Sequence, residues 1–248
     1  SFCPRSAPDF KDIKEFVSED LIVKLSQQLA TYNYSGIFLF SGFVEPMIDK
    51  NIFNLVSIVR KNLPKARIEM VTNGDALDQS RVKKLFCSGL STLLVSIYDG
   101  KKEADEMEKM LKDSGLDESK FKVRHRYLSE EESFGITLTN RAGMMENAEY
   151  KIASLKEPLK RPCYYPHYTF FMDYTGEVLV CSHDWGKKLV VGNLKNEDFI
   201  EIWNSQKFNL ARERLYAGDR NFSPCDKCDV TGTFMGRSHA EEWKKIKQ

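Results

Sequence analysis

The sequence contains no long apolar run. Its most apolar stretches, such as residues 36–43, have the length of a strand and fall well short of the roughly 20 residues that a membrane-spanning helix needs. An excess of one charge is also lacking, because 37 Lys and Arg residues offset 36 Asp and Glu residues. A balanced charge provides no global field that attracts nucleic acid or an anionic membrane. We therefore expect neither partner, and with no secretory signal visible we expect a cytoplasmic protein.

Cysteines are few, and four of the six lie after residue 160. The full set is Cys3, Cys87, Cys163, Cys181, Cys225 and Cys228. An even number can indicate disulfides, but a chain of 248 residues without a secretory feature is more typical of metal or redox chemistry in a reducing compartment. Cys87 falls in a predicted helix at a core-facing interval, and we expect it to be a small buried hydrophobe.

The composition, 42% hydrophobic and 29% charged, predicts a folded chain. The length of 248 residues suits one α/β domain with an appendage, or two small domains. From about residue 17 to 127, amphipathic helical stretches alternate with short apolar runs, which is the pattern of a parallel sheet. Ser18 and Asp49 are the predicted N-caps of two helices. Two more helices are predicted at 79–88 and 101–114, and strands at 36–41, 67–72, 92–97, 122–128 and 135–139. Right-handed crossovers then predict a curved sheet or partial barrel, with active residues after the carboxyl ends of the strands.

The amino-acid composition changes at about residue 158. Pro, Tyr, Gly and Cys become frequent, and residues 168–173 and 177–180 flank a Tyr-Thr-Gly turn that predicts a hairpin. Residues 198–215 are predicted to be helical. We therefore divide the chain into an α/β domain at 1–157 and a small cysteine-bearing domain at 158–248.

The strongest chemical signal is the set formed by Cys163, Cys181, Cys225 and Cys228. A Cys-x-x-Cys turn presents two sulfurs to one metal centre, and two more cysteines complete a tetrathiolate site. By spacing alone, four thiolates suit zinc and a [4Fe–4S] cluster equally well. His167 and His183 lie in the same segment, where ordinary loop histidines are the simpler interpretation and hydrogen bonding near the metal centre is the alternative.

The cysteine pattern, with Gly176 five residues before Cys181, resembles the auxiliary-cluster domain of radical S-adenosylmethionine (SAM) enzymes, called SPASM or, in its shortened form, twitch. Segments 191–194 (Val-Gly-Asn-Leu) and 199–203 (Phe-Ile-Glu-Ile-Trp) match the family's usual sequences. This resemblance implies that the four cysteines hold one [4Fe–4S] cluster with no open iron site.

Residues 1–5, Ser-Phe-Cys-Pro-Arg, resemble the end of the radical SAM motif Cys-x3-Cys-x-aromatic-Cys. The resemblance implies that Cys3 is the third ligand of a second [4Fe–4S] cluster, which binds SAM, and that Phe2 lies by the adenine. The two other cysteines of the motif are not in this sequence. We expect them in a segment upstream of Ser1. The alternative is a degenerate relative that cannot build the SAM-cleaving cluster.

Other landmarks of the family follow in order. Residues 41–46, Ser-Gly-Phe-Val-Glu-Pro, resemble the Gly-Gly-Glu-Pro motif, which implies that Glu45 accepts hydrogen bonds from the SAM ammonium. Ser96 matches the hydroxyl used on the SAM ribose. Arg124 and Arg126 share one strand face that can reach the SAM carboxylate. Without the resemblance, these residues read as a loop glutamate, a buried serine bonded to backbone and two surface cations.

Arg141 lies in the segment Asn-Arg-Ala-Gly at 140–143, where twitch-type dehydrogenases carry an Asn-Arg-Gly segment that faces the substrate. A guanidinium there would hold a hydroxyl or carboxylate by charge-assisted hydrogen bonds. The order of motifs resembles an aminocyclitol dehydrogenase of the twitch type over nearly the whole chain.

The resemblance implies a radical SAM oxidoreductase that cleaves SAM reductively to a 5′-deoxyadenosyl radical and removes hydrogen from a polar small molecule such as a sugar or aminocyclitol. It implies dehydrogenation or epimerisation with electron transfer by the auxiliary cluster, and a reducing donor such as flavodoxin or ferredoxin. The alternatives are modification of a ribosomal peptide, as in many SPASM proteins, and a zinc-stabilised binding module without radical chemistry.

Overall fold

The computed structural model describes residues 15–127, 139–146 and 152–247. These residues form two compact units. The first lies within Ser18–Thr137, and the second contains the described residues of Leu138–Gln248 together with those that precede Ser18.

The first unit is a four-stranded parallel sheet with strand order β1-β2-β3-β4. Its strands are β1 (Ile37–Phe40), β2 (Arg67–Thr72), β3 (Thr92–Ile97) and β4 (Phe121–His125), and its helices are α1 (Glu19–Thr31), α2 (Ile52–Asn62), α3 (Gln79–Cys87) and α4 (Lys101–Asp113). The predicted α/β class with a parallel sheet is therefore confirmed. The strand predicted at 135–139 lies outside the described residues except for Thr139.

The core of this unit follows from the two periodicities in the sequence. Ile68 and Met70 of β2 and Leu93 and Val95 of β3 are completely buried at alternate positions. In α1, the buried leucines at 21, 25 and 29 recur every four residues and form the apolar face. The side chain of Ser18 accepts the main-chain N–H of Leu21, so the predicted N-cap of α1 is present.

Asp49 was a wrong prediction for the N-cap of α2. Residues Pro46–Ile48 form a 3₁₀ turn that ends at Asp49, and Asn51 occupies the N-cap position. The Asp49 carboxylate instead accepts the N–H of Asn51 at 2.8 Å. A short polar side chain can satisfy a nearby turn as readily as a helix end, which is why the sequence pattern misplaced the cap.

The prediction for Cys87 was also wrong, because the residue is exposed at the end of α3. The buried positions of this helix are Val82 and Leu85. Two residues beyond Leu85, the helix has turned by more than half a revolution, so Cys87 points away from the core.

The described residues of the second unit form a three-stranded antiparallel sheet with order β5-β6-β7 and four helices. Its elements are α5 (Tyr165–Tyr168), β5 (Phe171–Met172), β6 (Glu177–Leu179), β7 (Val190–Asn193), α6 (Phe199–Trp203), α7 (Gln206–Tyr216) and α8 (Arg237–Lys247). The helical stretch predicted at 198–215 is two helices, because Ser205 caps a new helix by accepting the N–H of Phe208. Among the described helices, none combines the length and the apolar character that crossing a membrane requires.

Candidate functional site

Four cysteine side chains of the second unit line one cavity. Cys163 precedes α5, Cys181 follows β6, and Cys225 and Cys228 belong to a single 3₁₀ turn. All four are free of disulfide bonds. One wall is apolar, since Val180, Leu215 and Val230 also line the cavity. Three separate segments, spread over more than 60 residues of sequence, thus present sulfur to a common space.

The buried environment of the four thiols disfavours their deprotonation to thiolate unless a nearby cation compensates the negative charge. Burial is the main cause at each position. It raises the pKa of Cys163, Cys181 and Cys225, and it raises that of Cys228 to about 11. At Cys225 the neighbouring sulfurs add to the effect. A metal centre removes this penalty because it binds thiolate directly.

A main-chain N–H opposes the rise in pKa at three of the four cysteines. The N–H belongs to the residue two positions further on, which is Tyr165 at Cys163, His183 at Cys181 and Val230 at Cys228. Donors of this kind stabilise thiolate, and hydrogen bonds to the sulfurs are among the factors that set the reduction potential of an iron–sulfur cluster. The donor set and its hydrogen bonds fit a thiolate-bound metal centre.

A buried arginine joins the segments that carry the cysteines. The guanidinium of Arg220 is 1% exposed, and it donates to the carbonyl oxygens of two segments. The acceptors, at 2.7–3.1 Å, are Arg161, Pro162, Val230 and Thr231. One pair lies directly before Cys163 and the other just after Cys228. The sequence analysis missed Arg220, because nothing in the local sequence distinguishes it from a surface cation.

Gly232 provides the space in which Cys163 and Arg220 meet. A Cβ atom at Gly232 would lie 2.5 Å from the Cys163 sulfur and 3.0 Å from a terminal nitrogen of Arg220. The backbone there is left-handed, with φ of +75°. Glycine is therefore required by both conformation and contact.

The Arg141 loop is attached to the turn that carries Cys225 and Cys228. Asn140 is completely buried, and its amide donates to the carbonyl oxygens of Lys227 at 2.6 Å and Ala153 at 3.1 Å. Its side-chain oxygen accepts the N–H of Gly143 at 3.1 Å. The next three residues, Arg141 to Gly143, all have positive φ, of 48°, 54° and 83°. Asn140 is the first residue of the Asn-Arg-Ala-Gly motif, but its role as the anchor of the loop was not predicted from the sequence.

The charge of Arg141 acts on two groups beside the cysteines. Burial, and then the Arg141 charge, lower the pKa of His183 to about 4. Burial raises the pKa of Asp229, and the N–H of Asn140 and the charge of Arg141 oppose that rise. Since His183 lines the cysteine cavity and Asp229 follows Cys228, the guanidinium lies within electrostatic range of the cavity wall.

Glu45 lies in the first unit, in the loop after β1. Its carboxylate accepts the N–H of Met47 at 2.9 Å, the hydroxyl of Thr72 at 2.6 Å and the N–H of Asn73 at 2.9 Å. Thr72 is the last residue of β2, so Glu45 connects the ends of two neighbouring strands. One of its oxygens accepts a single hydrogen bond here and keeps capacity for a ligand.

Ser96 and Arg124 are paired in register on β3 and β4, one residue before the end of each strand. Ser96 is buried, and Arg124 is half-buried with its pKa lowered by burial and then by the like charge of Arg126. Because the strands are parallel, these positions and Glu45 belong to the same edge of the sheet, where α/β proteins bind ligands. The predicted residues Phe2 and Cys3 lie outside the described part of the chain.

Comparison with known proteins adds two kinds of similarity. Residues 163–229 match the SPASM family, an iron–sulfur cluster-binding domain. Over 234 residues the chain is 27% identical to the S-adenosyl-L-methionine-dependent 2-deoxy-scyllo-inosamine dehydrogenase of Niallia circulans, covering 92% of this chain and 86% of the relative. The resemblance to radical SAM enzymes with a SPASM-type domain is thereby confirmed.

Solved structures show a similarity in fold as well. The crystal structure of BtrN in complex with AdoMet and 2-DOIA superposes with a TM-score of 0.75 at 25% identity, over 93% of this chain and 87% of that one. The structure of anSMEcpe with bound AdoMet superposes with a TM-score of 0.56 at 14% identity, over 97% and 86% of the two chains, and shows a shared fold alone.

Proposed function

We propose that this protein is a radical SAM dehydrogenase that oxidises a hydroxyl-bearing carbon of a sugar-like or aminocyclitol substrate. The observation that carries the proposal is the cysteine cavity, whose Cys225–Cys228 turn is bonded to the Arg141 loop through Asn140. The similarity to an S-adenosyl-L-methionine-dependent dehydrogenase over 92% of the chain supports the same reaction class.

In this proposal Cys163, Cys181, Cys225 and Cys228 hold one [4Fe–4S] cluster. The four side chains line one cavity, and residues 163–229, which contain all four cysteines, match an iron–sulfur cluster-binding domain. This match favours iron–sulfur over the zinc-binding module.

The first unit would be part of a (β/α)₆ barrel that binds SAM, and the cysteine-bearing domain from about residue 158 would be the auxiliary domain. Glu45 would accept hydrogen bonds from the SAM ammonium, and Ser96 would bond to the ribose hydroxyl. Arg124 and Arg126 would donate hydrogen bonds to the SAM carboxylate. Phe2 and Cys3 would complete that site at the adenine and at a second cluster. When bound, the two clusters and SAM supply the radical that removes hydrogen and the acceptor for the electron that the substrate then releases.

In this proposal Arg141 is the residue that recognises the substrate. Its guanidinium can donate two parallel hydrogen bonds to the oxygens of a hydroxyl pair, and its positive charge stabilises the substrate oxygen as the alcohol loses its proton. Asn140 holds the loop in its left-handed conformation, so the guanidinium needs little reordering when substrate binds. An electron donor of the flavodoxin or ferredoxin type completes the proposal.

The test uses the full-length protein with its clusters reconstituted without oxygen, reduced in the presence of SAM and an aminocyclitol deuterated at the carbinol carbon. We expect deuterium in 5′-deoxyadenosine and a ketone product, both measured by mass spectrometry. Formation of 5′-deoxyadenosine without deuterium or ketone, but with a modified peptide when a precursor peptide is added, would replace the proposal by peptide modification. A protein with one zinc and no iron would contradict it altogether.

Arg141→Lys tests the recognition step. The variant keeps the charge but loses the planar pair of donors, and we expect kcat/KM for ketone formation to fall roughly tenfold to hundredfold, as for loss of about 1.5–3 kcal/mol. Arg237→Lys is the matched control, since Arg237 is an exposed arginine of the same unit that pairs with Glu241 at 2.8 Å. An Arg141→Lys enzyme as active as this control would remove Arg141 from the substrate site.

A further inference from the structure

Arg220 is a buried cation whose hydrogen bonds, within the described residues, all run to main-chain carbonyl oxygens. The four acceptors belong to residues 161–162 and 230–231, and no carboxylate is among them. Burying a charge costs several kcal/mol unless an opposite charge compensates it. Carbonyl dipoles satisfy the N–H groups but do not neutralise the charge. The site therefore calls for an anion close to Arg220.

The cysteine cavity is the place where that anion belongs. Arg220 lines the cavity, and its charge acts on Cys163, Cys225 and Cys228, where it favours thiolate. Through the space kept open by Gly232, the guanidinium approaches the Cys163 sulfur. Three of the four proposed ligands thus face the same fixed positive charge.

Arg212 shows that burial of an arginine alone does not produce this arrangement. It is also fully buried in the same unit, but its guanidinium lies over the rings of Trp203 and Phe208, at 4.1 and 4.0 Å from the ring centroids. It donates to the carbonyl oxygens of Pro166 and Trp203. Its charge is held by aromatic faces, whereas that of Arg220 is directed at the sulfurs.

We propose that Arg220 is the counter-charge of the auxiliary cluster: it holds the Cys163 and Cys228 segments in place and raises the reduction potential of the cluster that they bind. The inference rests on the proposed function, because it requires a cluster at the four cysteines. A tetrathiolate cluster is an anion, and one-electron reduction adds a further negative charge. A fixed cation nearby stabilises the reduced form more than the oxidised form. The cluster is thereby a better acceptor for the electron released when the substrate radical becomes a ketone.

The experiment measures the midpoint potential of the auxiliary cluster by a redox titration followed by electron paramagnetic resonance. All variants are made in a protein that also carries Cys3→Ser, so that the proposed SAM-binding cluster contributes no signal. Arg220→Met removes the charge, and Arg220→Lys keeps the charge while losing the planar set of donors. Arg212→Met removes a buried arginine whose charge is not directed at the sulfurs.

We expect Arg220→Met to shift the midpoint to a lower potential, with a roughly tenfold or larger fall in the reduced-to-oxidised ratio at a given potential, about 59 mV per tenfold for one electron. Arg220→Lys should shift less, and Arg212→Met should not shift. An Arg220→Met protein with full iron content and an unchanged potential would overturn the inference.

If Arg220→Met takes up no cluster, the iron content of the Arg212→Met protein shows whether the loss is specific to Arg220. If Arg212→Met still binds iron, the loss supports a specific role of Arg220 at the cluster, whereas loss in both variants would reflect general destabilisation and overturn it. Failure of the proposed function looks different, because the protein with Arg220 intact would then contain no cluster at the four cysteines.

Discussion

Asn140 and Asp229 exchange hydrogen bonds across 89 residues of sequence. The N–H of Asn140 donates to Oδ2 of Asp229 at 2.9 Å, and the N–H of Asp229 donates to Oδ1 of Asn140 at 3.3 Å. Asn140 directly precedes Arg141, and Asp229 directly follows Cys228. Two hydrogen bonds therefore join the residue before the proposed substrate arginine to the residue after the last cysteine.

Asn140→Ala should destabilise the cysteine-bearing unit. The change leaves the carbonyl oxygens of Ala153 and Lys227 and the N–H of Gly143 without their partner, and each buried group left unpaired costs about 1–3 kcal/mol. We expect a loss of at least that size in anaerobic urea unfolding of the full protein. Asn221→Ala, which removes an exposed amide bonded to Asp219, is the control and should change stability by less than about 0.5 kcal/mol. Equal effects of the two variants would contradict the anchoring role.

Gly232→Ala should prevent cluster uptake. The new Cβ would lie 2.5 Å from the Cys163 sulfur, in a left-handed backbone. Gly115→Ala is a close control, because Gly115 has φ of +77° and open space where a Cβ would be. Both variants incur the backbone strain of about 1 kcal/mol, but only Gly232→Ala displaces a proposed ligand. Iron per chain and the visible absorption spectrum measure the difference, and a normal iron content in Gly232→Ala would contradict the prediction.

Glu45→Gln should loosen the edge of the parallel sheet and weaken SAM binding. The carboxylate accepts three hydrogen bonds, from Met47, Thr72 and Asn73, and an amide offers one oxygen and a donor in place of two acceptors. We expect a stability loss of about 1–3 kcal/mol and a higher Kd for SAM by calorimetry. Asp117→Asn is the control, as its carboxylate accepts from Ser119 at an exposed turn. Unchanged SAM affinity would remove Glu45 from the SAM site.

His167 should make stability depend on pH. It is 3% exposed, and burial, together with the charge of Arg212, lowers its pKa from the ordinary 6.5 to about 4. A lowered pKa means that the unfolded chain binds the proton first. Stability is therefore complete above about pH 6.5 and falls by up to about 1.4 kcal/mol per unit as the pH drops toward 4. The pKa of His183 is also lowered to about 4, so this residue contributes in the same direction.

The variant His167→Phe replaces the ring within its aromatic contacts, the nearest being Trp243 at 5.2 Å between ring centroids. We expect this variant to reduce the dependence of the unfolding free energy on pH, measured by urea unfolding at a series of pH values. His239→Gln, at an exposed position of α8, is the control and should keep the full dependence. A steep, unchanged profile in His167→Phe would show that other groups are responsible.

Much of the fold could be predicted because its signals are local. The alternation of apolar residues located β2 and β3 to the residue, since a strand's side-chain period is set by its own backbone. The same reasoning failed where two local solutions compete, as at Asp49, and where a helix ends, as at Cys87. The spacing of Cys225 and Cys228 in one turn and the order of the four cysteines predicted a common metal centre, and the structure brings their side chains to one cavity.

By itself, then, the sequence determined the α/β class of the first unit and the identity of the cysteines as a set, because periodicity and motif spacing are properties of neighbouring residues. Only the tertiary structure decided that Arg220 faces the sulfurs and that Asn140 bonds the Arg141 loop to the cysteine turn. The most distant partners of Arg220 lie 58–59 residues away in the chain, and those of Asn140 lie 87–89 residues away. Such contacts depend on how distant segments pack, and a buried arginine or asparagine has the same sequence signature as an exposed one.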